Sequence, residues 1–240
     1  MVIPTTGLIF LFGVFVFFYL SIKFYTCYKE ENNEFAKLFS YSFFLIGMNY
    51  VITSVPTLFL IDNHVVWRII APIYTMFVAG GWSLLGYAVF SSTFQKYSKI
   101  IGGIMLLVFV FSSLPFFFYT PNYFYTDGVL NWGFDLSSKL FFLFFAPFVV
   151  TPLILMPLIA IFFLQAKRAT EKKVKIRSLG LGIAMSFMLF GMITDLILLT
   201  LTNLHPVYSD LNYLIIFTIL AFTLIFSWFP PKPKYITKIE

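Results

Sequence analysis

Seven times along this chain a run of about 20 apolar residues is broken by a short polar or charged cluster. The runs cover about 5–25, 38–61, 69–90, 100–119, 139–164, 178–202 and 210–229. Lys29-Glu30-Glu31-Asn32-Asn33-Glu34 and the stretch from Gln165 to Arg177 are typical of the breaks. A bilayer core about 30 Å thick is crossed by roughly 20 residues of helix, at about 1.5 Å rise each. Lipid offers no partner to backbone N–H and C=O groups, so a crossing segment must satisfy them within itself or in a closed barrel. Barrel strands would alternate apolar and polar residues. Leu8-Ile9-Phe10-Leu11-Phe12 and Leu140-Phe141-Phe142-Leu143-Phe144-Phe145 do not alternate. The sequence therefore predicts an all-α, polytopic membrane protein, a single seven-transmembrane-helix bundle over residues 1–240.

Composition agrees. Sixty per cent of residues are hydrophobic and 11% charged, where a soluble domain carries about 25% charged residues. So few charges cannot clothe a soluble fold of this size, and so much apolar side chain excludes disorder. The single cysteine, Cys27, excludes an internal disulfide and a multi-cysteine metal site. No basic residue precedes the first apolar run, and Tyr25, Cys27 and Tyr28 are poor neighbours for a cleavage site, so the run reads as a retained first helix. Cys27 reads as a small helix-end residue, with palmitoylation the lesser alternative.

The basic residues give the direction. Lys23, Lys29, Lys37, Lys96, Lys99, Lys167, Arg168, Lys172, Lys173, Lys175, Arg177, Lys232, Lys234 and Lys238 fall on one side, and only Arg68 and Lys139 on the other. Basic residues accumulate on the cytoplasmic side, so the amino terminus is expected outside and the carboxyl terminus in the cytoplasm, in the plasma membrane. The net charge of +6 needs no nucleic-acid partner once this bias is counted.

The longest external connection, Thr120 to Ser138, is rich in aromatic and turn residues, and Asp127-Gly128 predicts a tight hairpin turn. It reads as an interfacial anchor, or as a lid. The internal connection Lys167, Arg168, Lys172, Lys173, Lys175, Arg177 should prolong the flanking helices past the membrane and face anionic lipid or a cytoplasmic protein. Ala79, Gly80, Gly81, Ser83 and Gly86, and again Gly180, Gly182, Ala184, Ser186 and Gly191, suit close helix packing in lipid. Pro147, Pro152 and Pro157 should bend the fifth helix, and Pro56, Pro72 and Pro115 the second, third and fourth.

Asp195 is the carboxylate that lies well inside a run, and an ionised group there must face the bundle and find a partner. Lys139 and Arg68 are the cations within expected reach, and Asn49, Thr53 and Asn212 could extend the same network. His64, His205, Asp62 and Asp210 gather at the outer helix ends, where a metal or a proton-responsive site is conceivable and plain hydration is the simpler reading. No phosphate loop, zinc-protease helix or nucleophile elbow is present. The last run, like the third and sixth, holds no lysine to form a retinal Schiff base, and haem would want histidines deeper than these. No cofactor is expected.

From Ala166-Lys167-Arg168 through Lys175-Ile176-Arg177-Ser178-Leu179-Gly180-Leu181-Gly182, and on to Leu204-His205-Pro206 and the last run, the chain resembles the seven-helix amino-terminal sensory region of prokaryotic histidine kinases. The resemblance covers about 166–229 and implies a ligand-sensing bundle open to the exterior. Those regions are followed by signalling domains, whereas this sequence ends at Glu240, so a separate partner is expected to receive the signal. The leading expectation is a non-enzymatic, receptor-like or accessory membrane protein. A structural subunit of a larger respiratory or oxidase-type membrane complex is the alternative, and a small-solute transporter the third.

Overall fold

A computed structural model describes residues 4–60, 63–93, 96–114, 122–126, 129–133, 141–201 and 207–228. These residues form helices α1 (Thr5–Glu31), α2 (Glu34–Phe59), α3 (His64–Thr93) and α4 (Ser98–Ser113). Strands β1 (Asn122–Thr126) and β2 (Val129–Gly133) follow, then α5 (Phe141–Arg168), α6 (Lys172–Leu201) and α7 (Val207–Trp228). Six of these helices are long and apolar enough to cross a membrane. The apolar part of α4, Ser98–Phe111, is shorter. Residues 115–120, which the expected fourth crossing requires, lie outside the described residues.

Each apolar run is helical over its described residues, apart from its ends, and the charged breaks show how the chain turns. Asn32 ends α1 in the left-handed conformation, at φ 50°, which asparagine tolerates better than most residues. Asn33 then caps α2, its Oδ1 accepting from the backbone N–H of Phe35 at 2.9 Å and of Ala36 at 3.4 Å. Asn63 does the same for α3, accepting from the N–H of Val66 at 3.2 Å. The basic connection behaves as its composition suggests. Helix α5 runs on to Arg168 and α6 begins at Lys172, so both carry their charges beyond the apolar segments. Helix α5 continues through Pro147, Pro152 and Pro157.

Packing follows chain order and then closes. Each helix contacts the next, α7 returns to α1, and α3 also touches α5. Neighbours are antiparallel, as the pairs Ser21–Ser40, Ser42–Gly81 and Asn212–Gly191 show, whereas α1 and α7 run side by side in the same sense. The bundle therefore has a first end, where α1, α3, α5 and α7 begin, and a second end, where they finish. The hairpin pairs β1 with β2 antiparallel, Thr126 opposite Val129, while Asp127 and Gly128, on which the tight-turn expectation falls, lie outside the described residues. Strand β2 lies against α1.

Apolar burial does not drive helices together in lipid, so close fit must. Phe17, Leu20, Phe39, Phe43, Leu85, Ile154, Leu158, Met185 and Leu220 are fully enclosed, while Phe15, Phe59 and Phe190 face outward. Between α1, α2 and α7 the fit is aromatic. Phe17 stacks on Tyr50 with centroids 5.4 Å apart, and Phe217 meets Tyr50 edge-on at 5.3 Å. Gly13 makes room for this ring, since a Cβ there would lie 2.9 Å from Phe217. Nearer the second end, Ser21 and Ser40 each donate to the other's carbonyl at 2.9 Å. Replacing both serines with alanine should lower helix-pair stability by about 1–2 kcal/mol, since polar contacts in membranes average about 0.6 kcal/mol and reach about 1.7. A denaturant titration in mixed micelles measures this, and no change would mean that the alanines pack as well as the serines bond.

Candidate functional site

The polar residues of α2 are arranged in a stripe. Ser42, Ile46, Asn49, Thr53 and Thr57 recur every three or four residues, on one face of a helix, and all five are buried. That face meets α3: the Ser42 hydroxyl donates to the carbonyl of Gly81 at 2.6 Å, and a Cβ on Gly81 would lie 2.7 Å from Ile46. Toward the first end the stripe becomes amide and hydroxyl, with Asn49, Thr53 and Thr57.

Its hydroxyls are already committed. The Thr53 hydroxyl donates to the carbonyl of Asn49 at 3.0 Å, and that of Thr57 to the carbonyl of Thr53 at 2.6 Å. Ser54, one residue off the stripe, donates to Val51 at 3.2 Å. Pro56 supplies no N–H to the preceding turn, and these hydroxyls fill the surrounding part of the helix with local bonds. Acceptor capacity is left over. The Asn49 Oδ1 is enclosed and has no hydrogen-bond partner among the described residues. An enclosed acceptor without a donor costs about 1–3 kcal/mol.

Asn212, on α7, donates its amide to the carbonyl of Gly191 on α6 at 2.8 Å. Gly191 has no room for a side chain, because a Cβ would run into Ile216. The contact ties α6 to α7 one helical turn from Asp195, which lies on α6 as expected; its side chain falls outside the described residues. Lys139 also falls outside them, as do His205 and Asp62. His64 is the first residue of α3, and its side chain is not among those described. Arg68 is exposed one turn further on.

Asp210 has left the solvent. It sits in the first turn of α7 at 7% exposure, and the hydroxyl of Thr6 donates to its Oδ2 at 2.6 Å. A carboxylate suits this position because the first-turn N–H groups and the helix dipole favour negative charge. Thr6 carried no signal in the sequence: a threonine two residues after a proline at the start of an apolar run looks like any helix start. Tyr19 and Ser83 were also not singled out as polar sites, although the Tyr19 hydroxyl and Ser83 Oγ are enclosed without a partner among the described residues. One tyrosine among 14 and one serine in a small-residue run have nothing to distinguish them.

Among the described residues, no group of three histidine, cysteine, aspartate or glutamate side chains is near enough together to hold a metal ion. At the second end, Lys167, Arg168, Lys172, Lys173 and Lys175 are exposed, and Arg177 is half-buried. Comparison with protein families, with characterised proteins and with solved structures finds no match to this chain.

Proposed function

We propose that this multi-pass membrane protein is a non-enzymatic, receptor-like bundle of the plasma membrane, with its first end outside. In this reading it takes a small ligand between α2, α3, α6 and α7. The observation that carries this reading is the enclosed Asn49 Oδ1, an unmet acceptor on a stripe whose hydroxyl donors are already engaged. A bundle built only to hold itself together gains nothing from such a group, whereas a ligand bearing an N–H or O–H would complete it. The distribution of lysine and arginine supports the direction. The resemblance to kinase sensory regions supports sensing, with a separate cytoplasmic partner receiving the signal.

Two measurements test the reading. Asn49→Leu should raise thermal stability in mild detergent by about 1–3 kcal/mol, because it removes an unsatisfied acceptor from an apolar setting. A fall of the same size would mean that Asn49 is a structural partner, and the ligand reading would lose its main support. Purification in the same detergent should yield this chain without other membrane proteins in fixed ratio; a stoichiometric set of them would favour the complex-subunit alternative. Asp195→Asn should leave the folded yield intact and alter only the response. Reporter fusions at the two ends should place them on opposite sides of the membrane.

A further inference from the structure

The surface of α6 is ordered in a way that neither packing nor the proposed ligand site uses. Lys172, Lys175, Leu179, Ile183, Phe187 and Phe190 are spaced by three or four residues, so they share one helix face, and all are exposed. Helix α5 repeats the pattern in reverse: Leu153, Met156, Ala160, Leu164 and Lys167 form one exposed face that also ends in a lysine. The two helices meet closely below the turn, where a Cβ on Gly182 would lie 3.2 Å from the ring of Phe163. Only Ala169-Thr170-Glu171 separates them, so the three lysines stand at the same end of the two helices, each helix with an exposed apolar track leading away from its lysines. Lys167, Lys172 and Lys175 have no ion-pair or hydrogen-bond partner among the described residues, whereas Lys37 at the same end pairs with Glu34 at 3.1 Å.

We propose that the α5–α6 turn is a binding site for an anionic phospholipid. The phosphate lies among the ammonium groups of Lys167, Lys172 and Lys175, and the acyl chains run along Leu164, Leu179, Ile183 and Phe187. The two chemistries match a lipid's own division, charge at the surface and hydrocarbon below it, and long lysine side chains reach the headgroup level readily. An acidic protein would meet the charges and leave the apolar tracks unused, which is why a lipid is the better occupant.

The full-length protein, purified in neutral detergent doped with phosphatidylglycerol or phosphatidylcholine, tests this by native mass spectrometry of the retained lipid. Phosphatidylglycerol should survive washing that strips phosphatidylcholine. K172Q/K175Q should weaken its retention about 30-fold, from the usual contribution of a lysine near an anionic surface. K96Q/K99Q removes the same charge at another connection of the same end and should change retention by about twofold at most, since separated surface charges are screened. Equal losses in the two variants would reduce the site to diffuse charge and overturn the proposal. So would equal retention of the two lipids, displacement by millimolar inorganic phosphate, or preferential capture of polyglutamate.

Discussion

Gly81→Leu is expected to cost on the order of 4 kcal/mol or more, enough to lower the melting temperature in mild detergent by about 10 °C or to abolish the folded yield. The backbones of α2 and α3 come close where Ser42 donates to the Gly81 carbonyl. A Cβ on Gly81 would stand 2.7 Å from Ile46 Cγ1 and 3.1 Å from the Ser42 carbonyl oxygen. The first neighbour is a side chain and can turn; the second is helix backbone and cannot. A leucine must therefore separate the helices, which also lengthens the Ser42 bond and loosens the stripe leading up to Asn49. Gly103, in α4, is the control: nothing lies within 4 Å of the position of its missing Cβ. Gly103→Ala should stabilise by about 1 kcal/mol through helix propensity alone. Thermal melts of the two variants decide the point. A well-folded Gly81→Leu protein would mean that α2 and α3 do not approach as closely as this contact requires.

This contrast marks what a sequence of this kind discloses. The apolar runs had to become helices, because lipid leaves the backbone no other partner along Leu8 to Phe12 or Val150 to Phe163. Their ends were less legible. Helix α1 continues to Glu31 and α6 begins back at Lys172, since hydropathy registers where lipid ends and a charged residue in water has no reason to leave a helix. The Gly81 cluster was legible as packing, but the sequence did not say which glycine touches backbone and which, like Gly103, faces open space. That depends on helix rotation, which a chain apolar on nearly every face scarcely encodes. Asn49 and Asn212 stood out because an amide in an apolar run needs a reason to be there. Their settings differ: Asn212 binds the Gly191 carbonyl, while the Oδ1 of Asn49 has no donor among the described residues. The pairing of Thr6 with Asp210 spans nearly the whole chain, and no local pattern points across such a distance.

That long-range contact closes the ring, and breaking it should have the second large effect. Helices α1 and α7 share no connection, so only side-chain contacts hold the bundle's last seam. At the first end the Thr6–Asp210 bond fastens the helices, and further along the rings of Phe12, Phe17 and Phe217 interlock. Asp210→Ala should cost about 3 kcal/mol, in line with removing one partner of a buried, charge-assisted hydrogen bond. Thr6→Val keeps the shape, removes the donor and should cost about 1.5–3 kcal/mol. If the two groups act through each other, the double variant will cost less than the sum of the singles, with a coupling of about 1–2 kcal/mol in a double-mutant cycle. Asp210→Asn separates a fastening from a charged site. An amide oxygen still accepts from Thr6, so a structural seam should keep most of its strength. Additive costs in the cycle would show that Thr6 and Asp210 serve different neighbours. A collapse with asparagine as complete as with alanine would show that the negative charge at the start of α7, more than the bond to Thr6, holds α7 to the rest of the bundle.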